Sequence, residues 1–320
     1  MEKPLVSVFC LTYNHESMIE DALKGFVMQK TNFPFEVFVH DDASTDGTVR
    51  IIKQYAEAYP QIIRPVLQTE NQYSKHVKIT NTYLVPRATG KYFAFCEGDD
   101  FWTDEYKLQR QVDFLEQHPE YVACVHNSIQ INCKDHTESI MFPRTEDGDV
   151  SFEDTLYAWP RTYQTSSLVV RREYRDCEMP SFYNAVKGFA DWPFSIWLAL
   201  NGKIRFLAEC MSTYRYCSCA HSFMAQRTQN TVDLIQRSIE MLKAIRPYVE
   251  GGVYEDTLET AILKKEYQLL NYRHEYKEMR RAPYASIYRQ ESLKTKLKLY
   301  IKQFCPKAVA RYKGKHNHEA

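Results

Sequence analysis

The apolar run Tyr92–Cys96 predicts a buried β-strand, and it ends abruptly in three carboxylates spaced around one glycine, Glu97-Gly98-Asp99-Asp100. Ionised carboxylates bunched at the end of a buried strand repel each other and lose solvation. A hard divalent cation such as Mg²⁺ or Mn²⁺, usually shared with substrate phosphates, would offset both costs. The alternative interpretation is a solvated acidic turn that binds nothing.

The first hundred residues alternate between strand and helix patterns. The apolar runs and the amphipathic segments follow one another in this order: Leu5–Leu11, Glu16–Met28, Phe35–His40, Thr48–Tyr59 and Ile63–Gln68. A strand–helix–strand order implies right-handed crossovers. The fold class is therefore α/β, with a mostly parallel sheet covered by helices.

The second half of the chain changes character. Residues 133–163 are polar and irregular, with a short helix expected near Phe152, while Trp192–Asn201 has the pattern of a helix. After about His221 the pattern is purely helical. We therefore expect two domains, a catalytic domain over residues 1–225 and a helical C-terminal extension over residues 226–320.

Bulk properties narrow the class of protein. There is no run of eighteen apolar residues, and the first residues lead directly into a strand pattern without a signal peptide, so a cytoplasmic location is expected. The nine cysteines are scattered and odd in number, and no second close pair completes a zinc site with Cys217 and Cys219. We expect all nine to be reduced.

Polar residues follow three predicted strands of the sheet. Thr12-Tyr13-Asn14 follows the first strand and Asp41-Asp42 the second, and the acidic cluster follows a later one. In open α/β sheets ligands bind beyond the carboxyl ends of the strands. Tyr13 can stack on a base and Asp42 can accept a hydrogen bond from a base or ribose, although Asn14 and Asp42 could also simply be turn and cap residues. The chain lacks the glycine motifs of dinucleotide oxidoreductases and P-loop NTPases, so side chains and a metal would hold the phosphates.

Three segments in this order resemble a family of enzymes. Val6–Asn14, Val39–Thr48 and Gly90–Trp102, extended by Lys107-Leu108-Gln109-Arg110-Gln111, are similar to family 2 glycosyltransferases with the GT-A fold. The resemblance covers about residues 4–220. It implies a Rossmann-like sheet and an inverting, metal-dependent transfer of a sugar from a nucleotide-diphosphate donor, expected to be a UDP-sugar.

The resemblance also implies roles for individual residues. Tyr13 and Asp42 would contact the base and Asp99 the ribose, with Thr12 and Asn14 in the same donor site, and Asp100 would bind the metal. Many relatives have Asp where this chain has Glu97, so the role of Glu97 stays open.

Two later positions complete this hypothesis. Asp191 begins an amphipathic segment where the family places the general base that deprotonates the acceptor hydroxyl. Its alternative role is to cap that helix, and the two roles can coexist. His221 follows a Tyr-Arg segment that resembles one in the family, and it would bind the metal or the diphosphate. The alternative is an exposed loop histidine.

The C-terminal tail is basic. Residues 292–315 contain eight lysines and arginines and no acid, and apolar residues recur at helical spacing among them. Such a helix can lie on an anionic membrane surface, which would suit an acceptor that is a saccharide linked to a polyprenyl lipid. It could also pack on the protein, and nucleic acid is not expected because no binding module is recognised.

Two other functions remain open on the sequence. A nucleotidyltransferase on a related fold would release pyrophosphate, but its usual glycine-rich basic loop is missing from the N-terminal region. A non-catalytic binding protein with the same fold would show no metal-dependent turnover of nucleotide-sugars. The donor sugar, the acceptor, the linkage and the oligomeric state do not follow from these motifs.

Overall fold

A computed structural model describes residues 2–157, 162–186, 191–217 and 231–304. The chain forms two compact units. The first comprises Met1–Tyr183 and Phe189–Cys219, and the second comprises Asn184–Gly188 and Ala220–Ala320.

Parallel strands form one end of the sheet in the first unit. These are β1 (Val6–Thr12), β2 (Phe35–Asp41), β3 (Ile63–Leu67) and β4 (Tyr92–Phe95), in the order β3-β2-β1-β4. Every residue of β2 is buried, including Glu36, His40 and Asp41, as expected of a strand that is covered on both faces.

The rest of the sheet mixes strand directions. Its strands are β5 (Phe101–Trp102), β6 (Tyr121–Asn132), β7 (Glu138–Ile140), β8 (Gly148–Val150), β9 (Val169–Arg171) and β10 (Lys203–Tyr216). Strand β9 lies antiparallel between β4 and β6, while β6 and β10 run parallel to each other. The predicted fold class is confirmed, with the addition that the sheet is mixed and has ten strands within the described ranges.

Amphipathic helices cover this sheet. They are α1 (Ile19–Val27), α2 (Thr48–Ala58), α3 (Lys107–Gln117), α4 (Phe152–Tyr157) and α5 (Asp191–Asn201). In α1 the residues at helical spacing, such as Ile19, Leu23 and Phe26, are fully buried in the core formed with β1, β2 and β4. Helices α1 to α4 each begin within seven residues after the end of a strand.

The expectation that all nine cysteines are reduced is wrong for one pair. Cys133 and Cys217 form a disulfide, with their Cα atoms 4.9 Å apart. The reason lies in the register, because Asn132 at the end of β6 is paired with Tyr216 at the end of the parallel strand β10. The residues that follow this pair, Cys133 and Cys217, therefore lie beside each other.

The second unit is helical in the part that the structure describes. Its helices are α6 (Thr231–Lys243), α7 (Glu255–Tyr272), α8 (Ala285–Gln290) and α9 (Leu293–Phe304). Leu299 of α9 packs in a small core with Tyr267, Tyr276 and Met279. None of the helices in the described ranges is both long enough and apolar enough to cross a lipid bilayer.

Candidate active site

The register of the parallel strands brings the three predicted polar strand ends to one edge. Thr12 is paired with Asp41, and its carbonyl accepts a hydrogen bond from the N–H of Asp42 at 3.0 Å. On the other side of β1, the N–H of Gly98 donates to the carbonyl of Leu11 at 2.8 Å. The backbone hydrogen bonds of the sheet therefore place Thr12, Asp42 and the acidic cluster side by side.

Gly98 lets the acidic cluster come this close to β1. A Cβ atom at position 98 would lie 2.8 Å from both Cβ and Oγ1 of Thr12, and 2.9 Å from Cδ1 of Ile19. Real Cβ atoms do not approach other atoms so closely, and both residues to which these atoms belong, Thr12 and Ile19, are buried. The glycine between the carboxylates is therefore required by packing.

The turn after β1 is held by Asn14. This residue has a left-handed backbone with φ of 55°, a conformation that asparagine tolerates better than most residues. Its Oδ1 accepts a hydrogen bond from the N–H of Thr45 at 2.8 Å, and its own N–H donates to Oγ of Ser44 at 2.8 Å. Asn14 thus braces the first strand end against the second, and the neighbouring Tyr13 is 44% exposed, with its ring open to a ligand.

Asp42 is buried and its carboxylate is already occupied. Its Oδ1 accepts a hydrogen bond from the N–H of Gln72 at 2.8 Å, and its Oδ2 accepts one from the N–H of Tyr73 at 3.0 Å. Both of these donors belong to the loop that follows β3. Asp42 lies at the predicted edge, and in this structure it anchors that loop.

The acidic cluster carries the electrostatic cost that its sequence predicts. Burial, followed by the charges of Asp191 and Asp99, raises the pKa of Glu97 to about 8. Burial and the charges of Asp99 and Glu97 raise the pKa of Asp100 well above its usual range. The same three carboxylates, after burial, help to raise the pKa of Tyr214 to about 12. A cation bound here would relieve repulsion among several acids at once.

Two residues to which the sequence analysis assigned no role, Arg215 and Gln164, hold Asp100 in place. Its Oδ1 accepts a hydrogen bond from the backbone N–H of Arg215 at 3.0 Å, and its Oδ2 lies 3.4 Å from Nε2 of Gln164. The Arg215 side chain donates to the carbonyl of Asp99 at 2.9 Å and forms an ion pair with Asp21. The Tyr-Arg segment was recognised in the sequence, but its partner could not be, because the contact joins residues more than a hundred positions apart.

Asp191 is the first residue of α5 and lies beside a cavity of about 150 Å³. The cavity is also lined by Glu97, so one opening connects the candidate general base to the acidic cluster. Tyr163 and Tyr183 line it as well, and the charge of Asp191 contributes, after burial, to raising the pKa of each phenol. A carboxylate at the first turn of a helix is also favoured by the helix dipole, so the capping role and the catalytic role fit the same position.

The carboxylates at the acidic edge fit a hard divalent cation, for which the protein would supply only some of the ligands. Asp99 and Asp100 offer carboxylate oxygens, and burial together with the charges of the neighbouring acids raises the pKa of Asp100. In the ranges that the structure describes, no three residues among His, Cys, Asp and Glu are grouped closely enough to form a complete metal site. Such a cation would take its remaining ligands from substrate phosphates and water. His221, the other predicted ligand, lies outside the described residues.

Comparison with known proteins identifies the family. A family model described as "Glycosyl transferase family 2" matches residues 7–216. The chain belongs to glycosyl transferase family 2. The match includes all of the sheet except Val6 at the start of β1, together with every described residue of the site, so the predicted resemblance is confirmed.

A curated relative is similar to most of the matched region. An uncharacterized protein of Mycobacterium tuberculosis is 38% identical over 211 residues, which cover 66% of this chain and 58% of that protein. The chain thus spans less than two thirds of the length of this relative.

Two solved structures share the fold of this family 2 chain. S. aureus TarS 1–349 in complex with UDP has a TM-score of 0.58 at 17% identity, covering 92% of this chain and 77% of that one. The mannosyltransferase PcManGT from Pyrobaculum calidifontis, in complex with GDP-Man and Mn²⁺, has a TM-score of 0.51 at 19% identity, covering 97% of this chain and 83% of that one.

Proposed function

We propose that this family 2 chain is an inverting glycosyltransferase that moves a sugar from a UDP-sugar to the hydroxyl of a saccharide acceptor. The observation that carries the proposal is the position of Glu97. It follows the same strand as Asp99 and Asp100, and it lines one cavity with Asp191. A diphosphate held at the acidic edge therefore has its sugar beside a carboxylate that can act as a base.

In this proposal the strand ends bind the donor and Asp191 activates the acceptor. Tyr13 stacks on the base and Asp99 contacts the ribose. Thr12 and Asn14 belong to the same donor site. Asp191 takes the proton from the acceptor hydroxyl as its oxygen attacks the anomeric carbon from the face opposite the diphosphate, which inverts that carbon. The C–O bond to the diphosphate breaks, and UDP leaves.

Asp100, together with substrate phosphates, would hold a divalent cation such as Mn²⁺ or Mg²⁺. When bound, this ion would stabilise the negative charge of the departing diphosphate. PcManGT, whose title names both GDP-Man and Mn²⁺, and TarS, whose title names UDP, support these assignments by analogy.

Asp191→Asn tests the proposal. The substitution removes the base and keeps the shape, so transfer should fall by about 100-fold or more while the Kd for UDP with Mn²⁺ stays within about twofold. Product formation from UDP-sugars and calorimetric titration of UDP measure the two quantities. Asp113→Asn is the matched control, because Asp113 is an exposed acid of α3 that bonds only Gln109 among the described contacts.

The products and the turnover in these assays distinguish a glycosyltransferase from the two alternative functions. Release of pyrophosphate instead of UDP would indicate a nucleotidyltransferase. Tight UDP binding without turnover in the wild-type protein, for any of a panel of sugars and acceptors, would indicate a binding protein. Equal transfer by wild type and Asp191→Asn would remove Asp191 from the mechanism.

We further propose that α9 docks on an anionic membrane, where a lipid-linked acceptor would lie. An apolar face of this helix is open in the structure, with Leu293 85%, Leu297 59%, Tyr300 54% and Phe304 56% exposed. Lysines flank this face, namely Lys294, Lys296, Lys298 and Lys302, and the helix contains no acid. An open apolar stripe between cations is the pattern that anionic lipid surfaces bind.

Vesicle sedimentation tests this docking. The full chain should sediment with vesicles of phosphatidylglycerol and phosphatidylcholine in equal parts and stay in solution with phosphatidylcholine alone. Leu297→Glu should abolish sedimentation, whereas Val253→Glu, at an apolar residue that is 89% exposed outside the helix, should not. Equal binding of both variants, or no binding by the wild type, would contradict the proposal.

A further inference from the structure

Among the described residues that line the cavity beside Asp191, one is a cation, Arg175. The cavity measures about 150 Å³, which is enough for a six-membered ring to enter. Apolar side chains of β1 and β4 form its floor, and hydroxyl and charged groups line the rest of the cavity. The polar lining residues are Thr80, Glu97, Tyr163, Thr165, Arg175, Tyr183 and Asp191.

Arg175 is almost completely buried, with 6% of its surface exposed. Its Nη2 donates a hydrogen bond to Oδ1 of Asn81 at 2.8 Å, and its guanidinium lies 5.5 Å from the centre of the Phe194 ring. Its Nη1 is buried and has no hydrogen-bond partner. Throughout the described part of the chain, no carboxylate forms an ion pair with this guanidinium.

Among the described residues, this buried positive charge therefore has no ion pair, although Glu97 and Asp191 line the same cavity. Removing a guanidinium from water is costly unless an opposite charge and hydrogen bonds replace its hydration. A neutral amide and an aromatic ring compensate only part of that cost. The other buried arginine among the described residues is satisfied differently, since the guanidinium of Arg171 donates to three backbone carbonyls and to the hydroxyl of Tyr92. Arg175 thus lines the cavity with a donor, Nη1, that has no partner among the described residues and is available to a ligand.

The position of the cavity indicates which part of the ligand reaches Arg175. Phe9 and Leu11 of β1 and Phe95 of β4 form its floor, and both strands lead to the edge where the donor diphosphate is proposed to bind. Glu97 lies in the cavity wall, two residues before Asp99. A ring attached to that diphosphate is the group nearest to the opening.

We propose that Arg175 binds the carboxylate of a uronic acid, so that this chain uses a nucleotide-linked uronic acid as its donor. The inference rests on the proposed function and specifies its substrate class. The planar guanidinium has donors in the fork geometry that a carboxylate accepts, and Nη1 supplies the unused donor. A neutral hexose would offer hydroxyl oxygens to Arg175 and would leave the charge uncompensated.

Binding measurements on the full chain with Mn²⁺ test the inference through three probes: UDP, UDP-glucose and UDP-glucuronate. The wild-type protein should bind UDP-glucuronate about 10-fold or more tightly than UDP-glucose. Arg175→Met should reduce that ratio to about one and leave the Kd for UDP within about twofold. Arg175→Lys should keep part of the preference, because it retains the charge without the fork.

Arg172→Met is the matched control, since Arg172 lies three residues away, is paired with Asp176 and does not line the cavity. It should keep the wild-type ratio. Melting temperatures of all variants show whether each is folded, and Arg175→Lys supplies the test if Arg175→Met is not.

Equal affinity of the wild-type protein for UDP-glucuronate and UDP-glucose, or a preference for UDP-glucose, would overturn the inference. Binding of UDP in the same experiment would still support the proposed function. An unchanged ratio in folded Arg175→Met would also overturn the inference. Failure of UDP itself to bind would contradict the proposed function, and the inference with it.

Discussion

Asp100 and Arg215 are joined by a hydrogen bond of 3.0 Å from the backbone N–H of Arg215 to Oδ1 of Asp100, across 115 positions of sequence. This bond connects the acidic strand end to the last long strand of the sheet. It fixes one oxygen of the most buried acid in the cluster, which is 2% exposed. The site is therefore built by two distant segments and not by the acidic motif alone.

Asp100→Asn should make the free protein more stable and inactive. The folded protein raises the pKa of Asp100 above its unfolded value, so the acid favours folding at low pH, and this contribution is lost as the pH rises through the folded pKa. At neutral pH a neutral amide of the same shape, whose oxygen keeps the bond from Arg215, should raise the free energy of unfolding by on the order of 1 kcal/mol.

Urea unfolding with and without Mn²⁺ measures this effect. The wild-type protein should gain stability from Mn²⁺ and UDP together, and Asp100→Asn should lose that gain. Asp113→Asn, on an exposed face, should behave as the wild type in both conditions. Lower stability of free Asp100→Asn would show that the carboxylate is compensated within the protein.

The sequence predicts the positions of the strand ends well, because each apolar run stops where polar residues begin. It predicts the neighbourhood of Thr12, Asp42 and Gly98 for the same reason, since parallel strands align their carboxyl ends. The contacts of Arg215 and Arg175 are different. The contact of Arg215 depends on the antiparallel pairing of β10 with β5, and that of Arg175 depends on the path of the chain after β9. No local periodicity encodes either. The Cys133–Cys217 disulfide was missed because it requires β6 and β10 to be neighbours.

Gly98→Ala should disrupt the site through packing alone. The added Cβ would meet Thr12 at 2.8 Å, so the acidic strand end must move away from β1. We expect a loss of about 1–3 kcal/mol in the free energy of unfolding and a weaker Kd for UDP. Gly148→Ala is the matched control because no atom lies within 4 Å of the added Cβ there. Equal stability of the two variants would mean that the close approach of Gly98 to β1 is not maintained in solution.

Asp42→Asn separates the loop-anchoring role of this residue from contact with the base. An amide can accept only one of the hydrogen bonds that Gln72 and Tyr73 donate, and its NH₂ group would face the other N–H. The free energy of unfolding should fall by about 1–3 kcal/mol, and hydrogen exchange at residues 71–77 should accelerate even without ligand. If Asp42 contacts only the base, exchange in the free protein should not change, and UDP affinity alone should fall.

Lys107 gives the protein a measurable pH dependence of stability. Its side chain is fully buried, its Nζ has no hydrogen-bond partner, and it lies 4.1 Å from the centre of the Trp102 ring. Burial lowers the pKa of Lys107 from 10.5 to about 7, although the nearby thiols of Cys96 and Cys124 act in the opposite direction. The buried His126 faces the same group, and its pKa is lowered first by burial and then by the charge of Lys107.

The sign of the effect follows from the protons bound. Between its folded pKa and its unfolded value, Lys107 binds a proton in the unfolded chain and tends to lose it in the folded one, so its contribution to stability increases as the pH rises. Lys107→Met keeps the length and removes the charge. The free energy of unfolding of the wild type, measured in urea relative to Lys107→Met, should rise by on the order of 1 kcal/mol per pH unit from about pH 7 to about pH 9. Arg110→Met, at an exposed cation of the same helix, should give no such slope. Parallel pH profiles of wild type and Lys107→Met would show that Lys107 keeps its proton in the core, held by the face of Trp102.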